Sequence, residues 1–210
     1  MRRPRASREP FGMTRLSTFI VALHHRFFTT LERLLEGWFM GLLSRFVFAA
    51  VLWGYFLSSA GTKVGEGLSG FFQISPGAYY QIALPAVEAA GGDVEAVAFL
   101  PWGLIVTLGT YAEFILPVLI IAGLFARVAS LGMLIFIGVQ TLVDVTVHMV
   151  GPETVGALFD RFPDGLVADQ RLLWAVPLVY VAVKGPGMIS LDHLLARSRL
   201  APLRGGPVAA

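Results

Sequence analysis

Cysteine is absent from the 210-residue chain and charge is scarce, with Asp, Glu, Lys and Arg making up only 14% of it. Without cysteine there can be no disulfide, thiolate-held iron–sulfur cluster, c-type haem attachment or thiol nucleophile. Redox chemistry would therefore need a bound cofactor or a partner protein. A soluble protein of this length needs about a quarter of its residues charged to clothe its surface, so the shortage of charge excludes an ordinary water-soluble globule. The G-x-S-x-G, H-E-x-x-H, Walker and Rossmann glycine patterns are missing too, as is any repeat of fixed period. A formal net charge of +2 gives no reason to expect a nucleic-acid partner.

What the sequence does have is apolar length: 56% of it is hydrophobic and its mean hydropathy is +0.72. Because a bilayer core about 30 Å thick is crossed by about 20 apolar helical residues, we looked for runs bounded by charge. Four occur. The first covers 46–61, between Arg45 and Lys63, and reaches full length only if extended back towards Trp38. The second covers 99–125 and is interrupted by Glu113; the third covers 128–150 and holds Gln140, Asp144 and His148. The fourth covers 172–183 and lengthens if it starts near Gly165. The reading is an all-α integral membrane protein, a bundle of four transmembrane helices.

Charge gives the orientation, because basic flanks are retained in the cytoplasm. Twelve basic residues fall before Gly37, in the turn around Arg127 and after the fourth run, while the opposite loops hold Lys63, Arg161 and Arg171 among many acidic residues. Both termini are expected in the cytoplasm. Residues 1–43 read as a basic tail and an amphipathic helix on the inner leaflet, 44–196 as the membrane domain and 197–210 as a cytoplasmic tail. Within 16–43, Phe27, Phe28, Leu31, Leu34 and Leu35 alternate with Arg26, Glu32 and Arg33, as in a helix lying along the interface. The run does not read as a cleavable signal, since His24, His25 and Arg26 end it and no small-residue site follows. The segment 64–98, rich in Gly, Pro and aromatics, is expected to be partly helical or functional.

An ionisable group in the hydrocarbon costs about 2.5 to 3.5 kcal/mol on insertion scales, so the polar residues of the second and third runs need a reason. Glu113 shares a stripe with Thr110 and precedes Pro117 by one turn. Gln140, Asp144 and His148, at i, i+4 and i+8, share a face. At 1.5 Å per residue Gln140 is expected level with Glu113, with Asp144 about 6 Å and His148 about 12 Å nearer the outside. Lys63 could reach the top of this stripe by snorkelling. One reading is a proton-accessible pocket for a quinone headgroup, with Glu113, Asp144 and His148 handling protons and Lys63, Gln140 and Thr110 holding the ligand. The other is a packing network in which the charges neutralise one another. His148 lacks a second haem or metal ligand on its side, and Asp144 with His148 lacks a third, so no metal site is expected.

Several local patterns, in order, resemble the DoxX family of small four-helix bacterial membrane proteins. After the fourth run comes Gly185-Pro186-Gly187-Met188-Ile189-Ser190-Leu191-Asp192, similar to that family's closing G-P-G-x-x-S-L-D. Glu113 followed by Gly123-Leu124-Phe125-Ala126-Arg127 resembles its glutamate and G-L-F-x-R turn. Gly61-Thr62-Lys63, Arg45 and Val147-His148 match the end of its first helix, its opening arginine and the histidine of its third. The resemblance covers about residues 44–196; the chain departs from it at Ile115, Leu116 and Pro117, where small residues are usual, and in a longer 64–98 segment. It implies an inner-membrane protein that serves as the membrane subunit of an oxidoreductase system, such as thiosulfate:quinone oxidoreductase, with electrons supplied by a partner subunit. A non-enzymatic scaffold subunit and a small transporter remain as alternatives, as does a homo-oligomer.

Overall fold

The structure, a computed structural model, describes residues 11–200. Helices account for nearly all of the regular structure among them, and four are long and apolar enough to cross a membrane: Phe39–Gly61, Phe99–Ala122, Ala126–Thr146 and Leu166–Lys184. We call these the first to fourth apolar helices. The first begins seven residues before the run bounded by Arg45, because Phe39, Met40, Leu42 and Leu43 continue the apolar pattern across that arginine. The fourth gains its extra turn from Leu166–Gln170. An N-terminal helix, Phe11–Leu35, precedes them and a C-terminal helix, Leu191–Leu200, follows.

The first helix packs on the second and fourth, and the third packs on the same two. Their contact surfaces have helical spacing: Phe48, Leu52 and Phe56 on the first helix meet Ala129, Met133 and Ile137 on the third, with Ile120 and Trp174–Leu178 completing the core. Most other large apolar side chains point outward, among them Val51, Leu108, Val128, Ile135, Leu142, Leu173 and Val183. An exterior so apolar is what a lipid solvent requires and water would penalise.

The two ends of this arrangement are built differently. At one, which we call the turn end, the second and third helices are joined by Gly123–Phe125 alone, with Gly123 at φ +69° closing the second helix. Arg45, buried in the first helix, reaches into this turn: Nε donates to the carbonyls of Ile120 and Ile121 at 3.1 and 3.2 Å, Nη2 to Ile121 at 2.6 Å, and Nη1 to Pro186 and Ile189 at 3.2 and 2.5 Å. Ile120 and Ile121 are carbonyls of the last turn of the second helix and Pro186 and Ile189 belong to the segment between the fourth apolar and the C-terminal helix, so one guanidinium ties both segments to the first helix. Asp192 accepts from the amides of Phe125 and Ala126 at 2.7 and 3.0 Å, and Ser190 Oγ caps the C-terminal helix by accepting from His193 N at 3.2 Å. The residues of the G-P-G segment, the G-L-F-A-R turn and Arg45 therefore form one cluster.

At the other end, the loop end, the segment 64–98 is folded. It contains the helices Pro76–Ile82 and Leu84–Ala89, and Ala78 and Ala83 pack against Val106 of the second apolar helix. Tyr111 Oη donates to the Phe71 carbonyl at 2.9 Å, fastening the segment further down. The expectation of a partly helical segment agrees with this architecture.

Candidate functional site

Between the second and third apolar helices, towards the loop end, lies a cleft of about 530 Å³. Its second-helix wall is Ile105, Leu108, Gly109, Ala112, Glu113 and Leu116, a repeat of three and four residues that keeps one face turned inward. The third helix supplies Phe136, Val139, Gln140, Val143 and Asp144, and Gln81 and Ile82 roof it. At its foot Gly132 allows the helices to touch, since a Cβ there would stand 3.3 Å from Leu116 Cδ2. Ile105, Leu108, Ile135 and Val139 all line the cleft and all remain more than 40% exposed, so one flank opens sideways between the two helices, where acyl chains would lie.

Lys63 and Glu113 form the innermost polar group. The Lys63 ammonium lies 3.0 Å from both Glu113 carboxylate oxygens, and both side chains are about 95% buried. It also donates to Ser59 Oγ at 2.7 Å and to the Ser59 carbonyl at 3.2 Å, which means that the lysine folds back one turn along its own helix. This fixes the height of the carboxylate. It is tied to the lysine beside Ser59, two residues from the end of the first helix, or about 3 Å of rise. The stretch of the second helix from Gly103 to Glu113 rises about 15 Å further and meets the folded 64–98 segment.

The stripe of the third helix is arranged differently from a simple ladder. Gln140 Nε2 donates to Tyr55 Oη at 2.8 Å, one turn along the first helix from the Ser59 that meets Lys63, so Gln140 and Glu113 are held by different partners. Asp144 forms an ion pair with Arg171, whose Nη1 also donates to Thr141 Oγ1 at 2.8 Å. His148 lies past the end of its helix, its Nε2 3.0 Å from the Gln81 carbonyl, at the exposed rim. Lys63, Glu113, Gln140, Asp144 and His148 nevertheless all line the one cleft. Thr110 does not. It is fully buried with its Oγ1 unpartnered, and a spacing of three residues turns it roughly 60° from Glu113, to the side away from the cleft wall.

Reading the sequence alone missed Arg171, Tyr55, Ser59 and Gln81. Arg171 passes for a loop charge because it begins the shortest apolar run, yet it is 4% exposed. A signal for Ser59 was present: it stands four residues before Lys63, the spacing at which helical side chains meet. Tyr55 and Gln81 carry none, since their contacts join segments distant in the chain. No group of three or more metal-ligating side chains occurs among the described residues.

The cleft thus combines long apolar walls with a few polar atoms at one end, the usual make-up of a small-molecule site. Chemically it is richer in acceptors than in donors. The Lys63 hydrogens are taken up by Ser59 and Glu113, whereas Gln140 Oε1 is buried without a partner. Compared with known proteins, the chain matches no family model, no curated protein and no solved structure.

Proposed function

We propose that this chain is a DoxX-like, four-helix subunit of an oxidoreductase system in the bacterial inner membrane and that its cleft binds a quinone. Both termini are cytoplasmic in this reading, and the helix Phe11–Leu35 lies along the inner leaflet. Its outward-facing Phe19, Ile20, Leu23, Phe27 and Leu34 support that placement. The observation that carries the ligand assignment is the laterally open apolar cleft ending in the unpartnered Gln140 Oε1 and the Glu113 carboxylate. A lipid-soluble ring with a long tail could enter from the bilayer and leave its tail over Leu108 and Ile135. Reduction of a quinone takes two electrons and two protons and turns two carbonyl acceptors into two hydroxyl donors, which an acceptor-rich site then holds. Electrons come from a partner subunit. In this reading Glu113 and Asp144 pass protons and His148, exposed at the rim of the cleft, exchanges them with solvent.

A second reading, a membrane scaffold without chemistry of its own, is favoured by a different observation. Lys63 with Glu113 and Asp144 with Arg171 are already paired, as packing glue would be. Native mass spectrometry of the protein in a mild detergent, with quinone analysis of its organic extract, separates the two. The redox reading expects stoichiometric quinone that is lost in a folded Glu113→Gln variant. Protein free of quinone but carrying a reproducible partner, with Glu113→Gln failing to assemble, would establish the scaffold instead.

A further inference from the structure

At the turn end a second cavity, of about 420 Å³, lies between the third and fourth apolar helices and the segment that follows them. Two cations stand at its edge. Arg127 is in the first turn of the third helix and Lys184 is the last residue of the fourth, so both stand at the ends of helices long enough to cross a bilayer. Arg127 Nη2 donates to the Lys184 carbonyl at 3.1 Å, which aims the guanidinium at the cavity. Gly185 makes room for it, because a Cβ there would stand 3.2 Å from Arg127 Nε.

Neither cation forms an ion pair among the described residues; the two ion pairs found there belong to the cleft and its flank. Asp192 lines the cavity too, but each of its oxygens accepts a backbone amide, from Phe125 and Ala126, and its charge acts on Arg45. His193, in the same lining, holds its Nε2 buried and without a hydrogen-bond partner. The cavity is thus short of negative charge and short of an acceptor. A phosphate provides both, with a tetrahedron of oxygens that an arginine fork, a lysine and an imidazole can share. Met188 of the lining, Phe125 and Val128 on either side of Arg127 in the chain, and Val183 next to Lys184 are exposed at 46 to 70%, a surface for acyl chains and not for a water-borne anion.

We propose that this cavity binds the phosphate of an anionic phospholipid headgroup, held by Arg127 and Lys184 with His193 completing the acceptor's shell. The site is separate from the cleft and does not depend on any quinone chemistry; it requires only that the four helices span a bilayer. It gives the basic turn end a specific lipid in addition to a diffuse attraction to the anionic surface.

The test is titration of the delipidated full-length protein with phosphatidylglycerol and with phosphatidylcholine, read as lipid adducts by native mass spectrometry. We expect phosphatidylglycerol to bind about tenfold or more tightly than phosphatidylcholine, and Arg127→Gln/Lys184→Gln to abolish that preference. Lys184→Gln alone, which leaves the carbonyl contact to Arg127 in place, should lower it several-fold with an unchanged lipid-free thermal midpoint. Equal binding of the two lipids, or a preference that survives both variants, would overturn the proposal. Displacement of bound phosphatidylglycerol by millimolar inorganic phosphate would overturn the lipid as its source and make the ligand a soluble phosphate.

Discussion

The Lys63 ammonium donates to both carboxylate oxygens of Glu113 and to Ser59 of its own helix, so a charge pair fifty residues apart in sequence is tied back to the first helix. Such a pair is asymmetric in its energetics. Removing one member strands a buried charge, which typically costs 3 to 5 kcal/mol, roughly, while replacing both with apolar groups of similar volume is near neutral or stabilising. Lys63→Met should therefore lower the unfolding free energy by about 3 kcal/mol or more, and Lys63→Met/Glu113→Met should recover most of the loss. Denaturant unfolding of the four proteins of this cycle measures it, and additive losses would show that the two residues do not act as a pair.

Arg45 makes a different kind of contact, since all its acceptors are carbonyl oxygens. A lysine carries the charge but not the fork, and cannot reach Ile121 and Ile189 together. We expect Arg45→Lys to destabilise by about 2 to 4 kcal/mol, seen as a lower thermal midpoint in detergent.

Two glycines of the first apolar helix form an internal control. A Cβ at Gly41 would stand 2.6 Å from the backbone of Pro186 and Gly187, whereas one at Gly54 meets nothing within 4 Å. Gly41→Ala should cost about 3 kcal/mol, and Gly54→Ala should be neutral or stabilise the helix by up to about 1 kcal/mol. Similar thermal midpoints for the two variants would contradict the close approach at the turn end.

Filling the cleft tests its use without touching a charge. Ala112→Phe projects a ring between the second and third helices. Quinone recovered with the purified protein should fall about tenfold, equivalent to 1.4 kcal/mol of binding, with little change in secondary structure by circular dichroism. Undiminished quinone in the folded variant would place the ligand elsewhere.

The absence of cysteine makes the N-terminal helix simple to probe. Positions 20 and 29 are nine residues apart, two and a half turns, and so on opposite faces. In inside-out vesicles Thr29→Cys should react readily with an impermeant maleimide and Ile20→Cys slowly. Equal rates would mean that the helix does not lie on the membrane with Ile20 inward.

How much of this was legible beforehand differs by feature. The four apolar helices could be read because hydropathy acts locally, and their ends differ most where a charge inside the pattern, Arg45 in the first and Asp169 and Arg171 in the fourth, looked like a boundary. Glu113, Gln140, Asp144 and His148 stood out for the same reason, being polar where polarity is expensive. Their partners did not. Whether Lys63 meets Glu113 depends on the lysine bending back to Ser59, and Asp144 finds Arg171 only through the packing of the third helix on the fourth. Thr110 was misplaced because a shared stripe is an arc and the cleft uses only one side of it. The role of Arg45 was hidden more deeply: its partners are main-chain oxygens, which side-chain identity does not encode.

That last contact sets how the molecule responds to its surroundings. A tie between a guanidinium and peptide dipoles has no carboxylate to protonate, so acidification does not release it, and being buried it is little screened by salt. At the loop end the ties are instead between side chains, Lys63 with Glu113 and Arg171 with Asp144. The turn end is thus pinned as the ribs of a fan are by their rivet, the second helix and the segment after the fourth held to the first through one side chain.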